Sequence, residues 1–234
     1  MLIDLFVEGF EERELGEDVE LAGYTGRADA AALLAPLGPV VETPVAAGWE
    51  IAWKSFHRPL RIGPLWVGPP WEPPDDGAAA VVIDPGRAFG TGAHPTTRLC
   101  LELLLELEPG GLVDLGCGSG VIAVAAARLG FRPVLALDAD EAAVEATRAN
   151  AAANGVAVEV RLANVLADPL PAVELAVANI AREPVERACE RFHGRVFVAS
   201  GYLAGERPAP EGWRGLERRE AEGWAADLLV PVTE

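Results

Sequence analysis

The chain is short of lysine, cysteine, methionine and positive charge altogether. A single lysine (Lys54) and 18 arginines face 36 acidic residues, for a formal net charge of −17 over 234 residues and a pI near 4.6. Such a field repels phosphate backbones, so direct nucleic-acid binding is not expected and a basic partner is. An acidic surface that only keeps the protein soluble is the plainer reading of the same number. The Arg bias, with abundant Ala and Pro, points to genome composition or a warm habitat. Cys100, Cys117 and Cys189 are odd in number and widely spaced, which excludes a disulfide framework and paired metal ligands; a reducing cytoplasm and no metal are expected. No apolar run approaches the roughly 20 residues of a transmembrane helix, and Met1 opens no basic, signal-like segment. A cytoplasmic protein without membrane contact is expected. Oligomeric state leaves no trace in the sequence.

Half the residues are apolar, enough for a substantial core, and the composition changes near residues 45 and 78. Residues 1–45 hold short strand-like runs (2–7, 19–25, 40–45) around an Ala/Leu-rich helix at 28–35, a small α+β unit. Residues 46–77 read as a linker. It contains an aromatic helix, WEIAWKSF, whose Trp49, Trp53 and Phe56 mark one apolar face. A hairpin around Gly63-Pro64 and a stiff proline-rich stretch at 69–74 complete it. The tryptophans at 49, 53 and 66 suit packing against the main domain, or the stacking of a ring ligand.

From residue 78 to 234 strand and helix alternate. Strand-like runs fall at 78–84, 112–115, 133–138, 156–162, 174–180 and 195–200, with helical runs at 95–107, 119–129, 141–153 and 184–192. This rhythm predicts an α/β fold, a doubly wound and mostly parallel sheet with helices on both faces. Residues 213–219 and 224–232 flank Glu222-Gly223 and predict a C-terminal antiparallel hairpin.

Residues 113–124, VDLGCGSGVIAV, predict a strand, a glycine turn and a helix N-terminus whose free backbone N–H groups a ligand could reach. The dinucleotide fingerprint G-x-G-x-x-G does not fit, because Val121 stands at the third glycine position and Gly120 comes one place early. Asp114, Gly116, Gly118 and Gly120 form D-x-G-x-G-x-G instead, which resembles the first motif of S-adenosylmethionine (SAM)-dependent methyltransferases. Charge agrees: Asp114 would repel a pyrophosphate and would meet the methionine ammonium of SAM. Asp138 ends the next strand, where a carboxylate accepts hydrogen bonds from a ribose diol, although an Asp there also serves as a helix cap. Asn164 follows the third strand, a candidate for the adenine amine. Asn179 ends the fourth. Cys117, inside the turn, is either a reactive thiol or a small residue tolerated there.

A second glycine-rich stretch, DPGRAFGTGAHPTTR (84–98), is poor helix and poor strand and runs into a helix that His94-Pro95 would start. With DLGCGSG, ALDAD, VANI and SGYL it makes residues 48–234 resemble the ribosomal protein L11 methyltransferase (PrmA-type) family. That resemblance implies a class I methyltransferase fold with SAM as cofactor. It implies methylation of lysine or N-terminal amines of a basic protein, ribosomal protein L11 first among them. It assigns Phe89, Gly90, Thr91, Thr97, Gly116 and Asp138 to the cofactor and puts Asn179 at the methyl-transfer centre. His94 becomes a loop anchor or a base. The first 45 residues are shorter than the family's ferredoxin-like recognition domain. Rival readings are an amine methyltransferase for another protein or a small molecule, a SAM-binding regulator without turnover, and an NAD-dependent oxidoreductase.

Overall fold

A computed structural model describes residues 10–15, 18–23, 30–41, 58–84 and 94–232. The chain divides into two compact units, Met1–Ile51 and Ala52–Glu234. In the first, β1 (Phe10–Leu15) and β2 (Asp18–Gly23) pair antiparallel, with Phe10 opposite Gly23 and Leu15 opposite Asp18. A short helix α1 (Ala30–Leu34) continues into a 3-10 turn, Ala35–Leu37. No apolar pattern announces β1: its FEEREL carries four charges, a composition poor in strand formers, and pairing with β2 holds it as a strand. The expected run at 2–7 and the aromatic helix at 48–56 lie outside the described residues. Val40 and Val41, from the run at 40–45, are described and are not in a strand.

The second unit contains two sheets. In the larger, of seven strands among the described residues, β6 (Leu112–Leu115) has β7 (Val134–Asp138) and β8 (Glu159–Leu162) to one side. On the other side follow β9 (Leu175–Asn179), β10 (Val196–Leu203), β12 (Trp224–Pro231) and β11 (Trp213–Ala221). Strands β6 to β10 run parallel, and β12 and β11 close the sheet antiparallel. The terminal hairpin turns through Glu222 (φ 53°) and Gly223 (φ 81°), the pair of left-handed residues that a two-residue hairpin requires. This is the doubly wound, mostly parallel sheet that strand–helix alternation predicts, closed by the expected C-terminal hairpin.

Residues 78–84 correct that reading. They do not join the main sheet: β5 (Ala79–Val82) lies parallel to β4 (Leu65–Gly68) in a separate three-stranded sheet, completed by β3 (Leu60–Ile62) across the Gly63-Pro64 turn. A fully apolar strand carries no alternation to say which sheet receives it. Strands β4 and β5 pair across residues 69–78, which therefore bridge two neighbours of one sheet.

Alternation along the strands sorts the core into two faces. Leu112, Val134, Ala136, Leu175, Val177 and Val198 pack on α2 (Pro95–Leu104), α3 (Val121–Arg128) and the small sheet. Val113, Leu115, Leu137, Ala178, Phe197 and Ala199 pack on the other face, with α5 (Arg182–Arg191). By the same period of two, Asp114, Asp138 and Asn179 all fall on the α2/α3 face, at or near the carboxyl ends of their strands.

Candidate cofactor and methyl-transfer site

The parallel order reverses between β6 and β9, and ligands of open α/β sheets bind at such a switch point. Strand β6 runs into the turn 116–120, where Gly116, Gly118 and Gly120 have φ of 79°, 53° and 81°, conformations that side chains disfavour. Space agrees with torsion at two of them. A Cβ on Gly116 would lie 2.5 Å from Ile180 Cγ2, and one on Gly120 would lie 2.7 Å from Thr147 Cγ2. Gly120 then starts α3, leaving the helix without a side-chain cap. The N–H groups of Gly116 and Cys117 both donate to the Leu137 carbonyl, at 2.8 and 3.1 Å, which ties the turn to the neighbouring strand.

Two carboxylates frame this turn in different states. Asp114 is 1% exposed; its Oδ2 accepts from the Ala123 N–H at 3.2 Å, while Oδ1 is buried with no hydrogen-bond partner. Burial drives its carboxyl up to about 7, partly opposed by the Ala123 N–H and reinforced by the Asp138 charge. Asp138 is only half-buried. Its Oδ2 accepts from the Gly118 N–H at 2.9 Å and its Oδ1 from the Asp140 N–H at 3.0 Å. Each of its oxygens keeps a lone pair, so the carboxylate can take two further donors. Cys117 is buried and its thiol is pushed up to about 12, first by desolvation and then by the Asp114 charge. It is a neutral packing residue, not a reactive thiol.

Asn179 ends β9, and its Nδ2 donates to the Thr97 hydroxyl at 3.3 Å. Thr97 is buried in the first turn of α2. His94 is the N-cap of that helix, Pro95 its first residue, and the His94 Nδ1 accepts from the Thr96 N–H at 3.4 Å. The His94 ring also meets the Trp224 ring edge-on at 4.7 Å, which gives it a structural anchoring part. Asn164 sits in an exposed turn after β8, and its Oδ1 accepts from the Leu166 N–H at 2.9 Å. That bond caps the turn and leaves the amide NH₂ on the same carboxyl edge. Phe89, Gly90 and Thr91 lie outside the described residues.

The structure also brings in residues that the motifs do not name. Helix α4 (Glu141–Ala153) buries Thr147 and Asn150, and the buried Asn154 caps its end. Thr147 Oγ1 donates to the Gly118 carbonyl at 3.0 Å and Asn150 Nδ2 to the Ser119 carbonyl at 2.9 Å. Their signal in the sequence is faint: polar residues recurring at 147, 150 and 154 along a helix whose other inward positions are Ala and Val. Next to Asn179, Gly201 (φ 101°) lies so close to Ile180 that a Cβ would sit 1.9 Å from the Ile180 carbonyl oxygen. The strand bulges there, between Ser200 and Tyr202.

Among the described residues, no group of metal-ligating side chains occurs, and no helix is long and apolar enough to cross a membrane. The donor set consists of two carboxylates, glycine amides and an amide side chain. It suits an ammonium and a ribose diol better than a pyrophosphate.

Comparison with known proteins agrees. The model of the ribosomal protein L11 methyltransferase (PrmA) family matches residues 30–205. The ribosomal protein L11 methyltransferase of Symbiobacterium thermophilum is 42% identical over 198 residues, covering 78% of this chain and 65% of that protein. That of Legionella pneumophila subsp. pneumophila is 39% identical over 199 residues, 78% of this chain and 67% of the relative. The chain thus spans about two thirds of the curated relatives it matches. Among solved structures, the ribosomal protein L11 methylase from Lactobacillus delbrueckii subsp. bulgaricus superposes with a TM-score of 0.66 at 26% identity. That superposition covers 75% of this chain and 99% of that one.

Proposed function

The chain belongs to the ribosomal protein L11 methyltransferase (PrmA) family, and on that basis we propose that it is a SAM-dependent N-methyltransferase acting on lysine or N-terminal amines of a basic protein, ribosomal protein L11 first among them. The observation that carries this reading is the Asn179–Thr97 pair at the carboxyl end of β9, beside the glycine turn at the end of β6. SAM, when bound, supplies a methyl group on a sulfonium, whose leaving group needs no proton.

The residues of this chain then have three tasks. Asp138, with a free lone pair on each oxygen, holds the ribose hydroxyls. Asp114, with its unpartnered Oδ1, neutralises the amino-acid ammonium, and the glycine turn admits that group to the backbone. Thr97, buried in the first turn of α2, would line the pocket, the family resemblance adds Phe89, Gly90 and Thr91 to the cofactor residues, and Asn164 would meet the adenine edge. Asn179 donates from its NH₂ to Thr97, so its Oδ1 would be left to accept from the incoming amine and orient it.

The acceptor must arrive neutral. A lysine of pKa about 10.4 costs roughly 4–5 kcal/mol to deprotonate at pH 7, and a pocket dry enough to disfavour the ammonium lowers that cost. Asn179 is not a base, so the proton leaves to water. The net charge of −17 supports a basic protein partner through long-range attraction. Residues 1–45 supply docking for that partner, and the region from residue 78 supplies the chemistry. A ribosomal protein substrate implies work in the cytoplasm.

Incubating the full chain with methyl-labelled SAM and a ribosomal-protein extract tests the proposal. Label on a protein the size of L11 supports it. Label on other proteins alone, or on none while SAM binds, refutes the substrate assignment.

A further inference from the structure

Among the described residues β5 lies at the edge of its sheet, so every second residue along it and its continuation to Asp84 turns an N–H and C=O away from β4. Two asparagines of the α4 region take them. Asn154 Oδ1 accepts from the Val82 N–H at 2.9 Å, and its Nδ2 donates to the Val82 carbonyl at 2.6 Å. Asn150 does the same for Asp84: Oδ1 accepts from its N–H at 3.0 Å, and Nδ2 reaches its carbonyl at 3.4 Å. The pitches agree. One helical turn advances about 5.4 Å, and two strand residues about 6.6 Å, so amides four apart on a helix pair with peptides two apart on a strand.

The two asparagines are not equivalent. Asn154's remaining donation goes to the Asn150 carbonyl within its own helix, at 2.8 Å. Asn150's goes to the Ser119 carbonyl at 2.9 Å, inside the glycine turn. Asn150 therefore joins the turn of the first motif to Asp84, the residue from which the chain enters the second glycine-rich stretch. It is 4% exposed, and its Oδ1 and both of its Nδ2 protons are committed.

We propose that Asn150 is a positioning residue for the cofactor, setting the spacing between the glycine turn and Asp84. The inference rests on the reading of this chain as a SAM-binding enzyme. Asn154 serves as its built-in control, because it grips the same strand edge without touching the turn.

The experiment uses the full chain with N150S, N150A and N154A. It reads melting temperature, SAM dissociation constant by calorimetry, and KM for SAM and for ribosomal protein L11. N150S and N150A should weaken SAM tenfold or more and raise KM for SAM in step, with KM for L11 unchanged within twofold. N154A should melt earlier yet bind SAM within threefold of the parent. A folded N150S that binds SAM within twofold of the parent would overturn the proposal. So would N154A weakening SAM as much as N150S, because the loss would then follow stability alone. Should the Asn150 variants not fold, hydrogen exchange in the parent chain decides: saturating SAM must slow exchange at the Val82 and Asp84 amides, and unchanged exchange there refutes the link. A parent chain that does not bind SAM at all would instead sink the underlying reading, and the first titration shows it.

Discussion

The Asn179 amide donates to the Thr97 hydroxyl across 3.3 Å, joining the end of β9 to the first turn of α2. An amide is planar with its nitrogen and oxygen on opposite sides, so anchoring Nδ2 on Thr97 turns Oδ1 away from α2. On the proposed reading this bond would make a side chain without acid–base chemistry useful for methyl transfer, aiming an acceptor and leaving the proton alone. It also separates binding from chemistry in a way that mutants can read.

Asn179→Ala should lower kcat about a hundredfold, near 2.7 kcal/mol of barrier, while SAM affinity stays within a few-fold. Thr97→Val should give a smaller kcat loss, because Asn179 remains but loses its anchor, and should also weaken SAM, because Thr97 lines the cofactor pocket. Single-turnover rates beside calorimetric SAM affinities test both. Equal losses in kcat and SAM binding would return Asn179 to the cofactor alone.

Asp138→Ala should weaken SAM and S-adenosylhomocysteine alike by about 1.5–3 kcal/mol, the usual loss for hydrogen bonds to a charged group. The two ligands share the ribose and differ at sulfur, so a common loss points to the sugar. Unchanged affinity for both would remove Asp138 from the site.

Much of this site was legible because its residues sit where chain chemistry is most constrained. The D-x-G-x-G-x-G turn needs three left-handed torsions, and glycine is the residue that permits them. Asp138 and Asn179 close apolar strands. Thr97 follows a His-Pro helix start, which the N-cap geometry of His94 matches. What did not show is held by tertiary context. Asn150 and Asn154 are unremarkable polar residues on an Ala-rich helix until an edge strand lies against them. Strand β5 carries no alternation to choose its sheet, and β1 is too charged to read as a strand at all. Gly201 stands within SGYL, but only the packed Ile180 carbonyl shows why no side chain fits there.

Asp114 makes the site pH-sensitive in a defined direction. Its carboxyl lies near 7 when folded, against about 3.8 ordinarily. A raised acid stabilises the fold in its neutral form; that contribution is complete below about pH 4 and is lost as pH rises through about 7. An ammonium beside Oδ1 pulls the carboxyl back down, so SAM binding should release a proton between about pH 5 and 7, and affinity should climb across that window. Calorimetry near pH 6.5 in buffers of different ionisation enthalpy measures the proton. Asp114→Asn should abolish the release and hold or raise stability at about pH 8. A parent chain that binds SAM without proton release would detach the ammonium from Asp114.

Gly201→Ala should destabilise the fold by more than about 2 kcal/mol, since the new Cβ meets backbone at 1.9 Å and the left-handed torsion adds strain. The displaced partner, Ile180, follows Asn179 directly, so any folded fraction should lose kcat beyond the loss in melting temperature. Denaturant unfolding with activity at matched folded fraction measures both. A variant within about 0.5 kcal/mol of the parent would contradict the close approach of β10 to Ile180.

Purified ribosomal protein L11, incubated with SAM and the full chain and read by mass spectrometry, should gain whole methyl increments on lysine or N-terminal nitrogens. The rate should rise with pH through the neutral range, and Asn179→Ala should lose it. L11 unmodified under conditions where the chain demonstrably binds SAM would contradict the account.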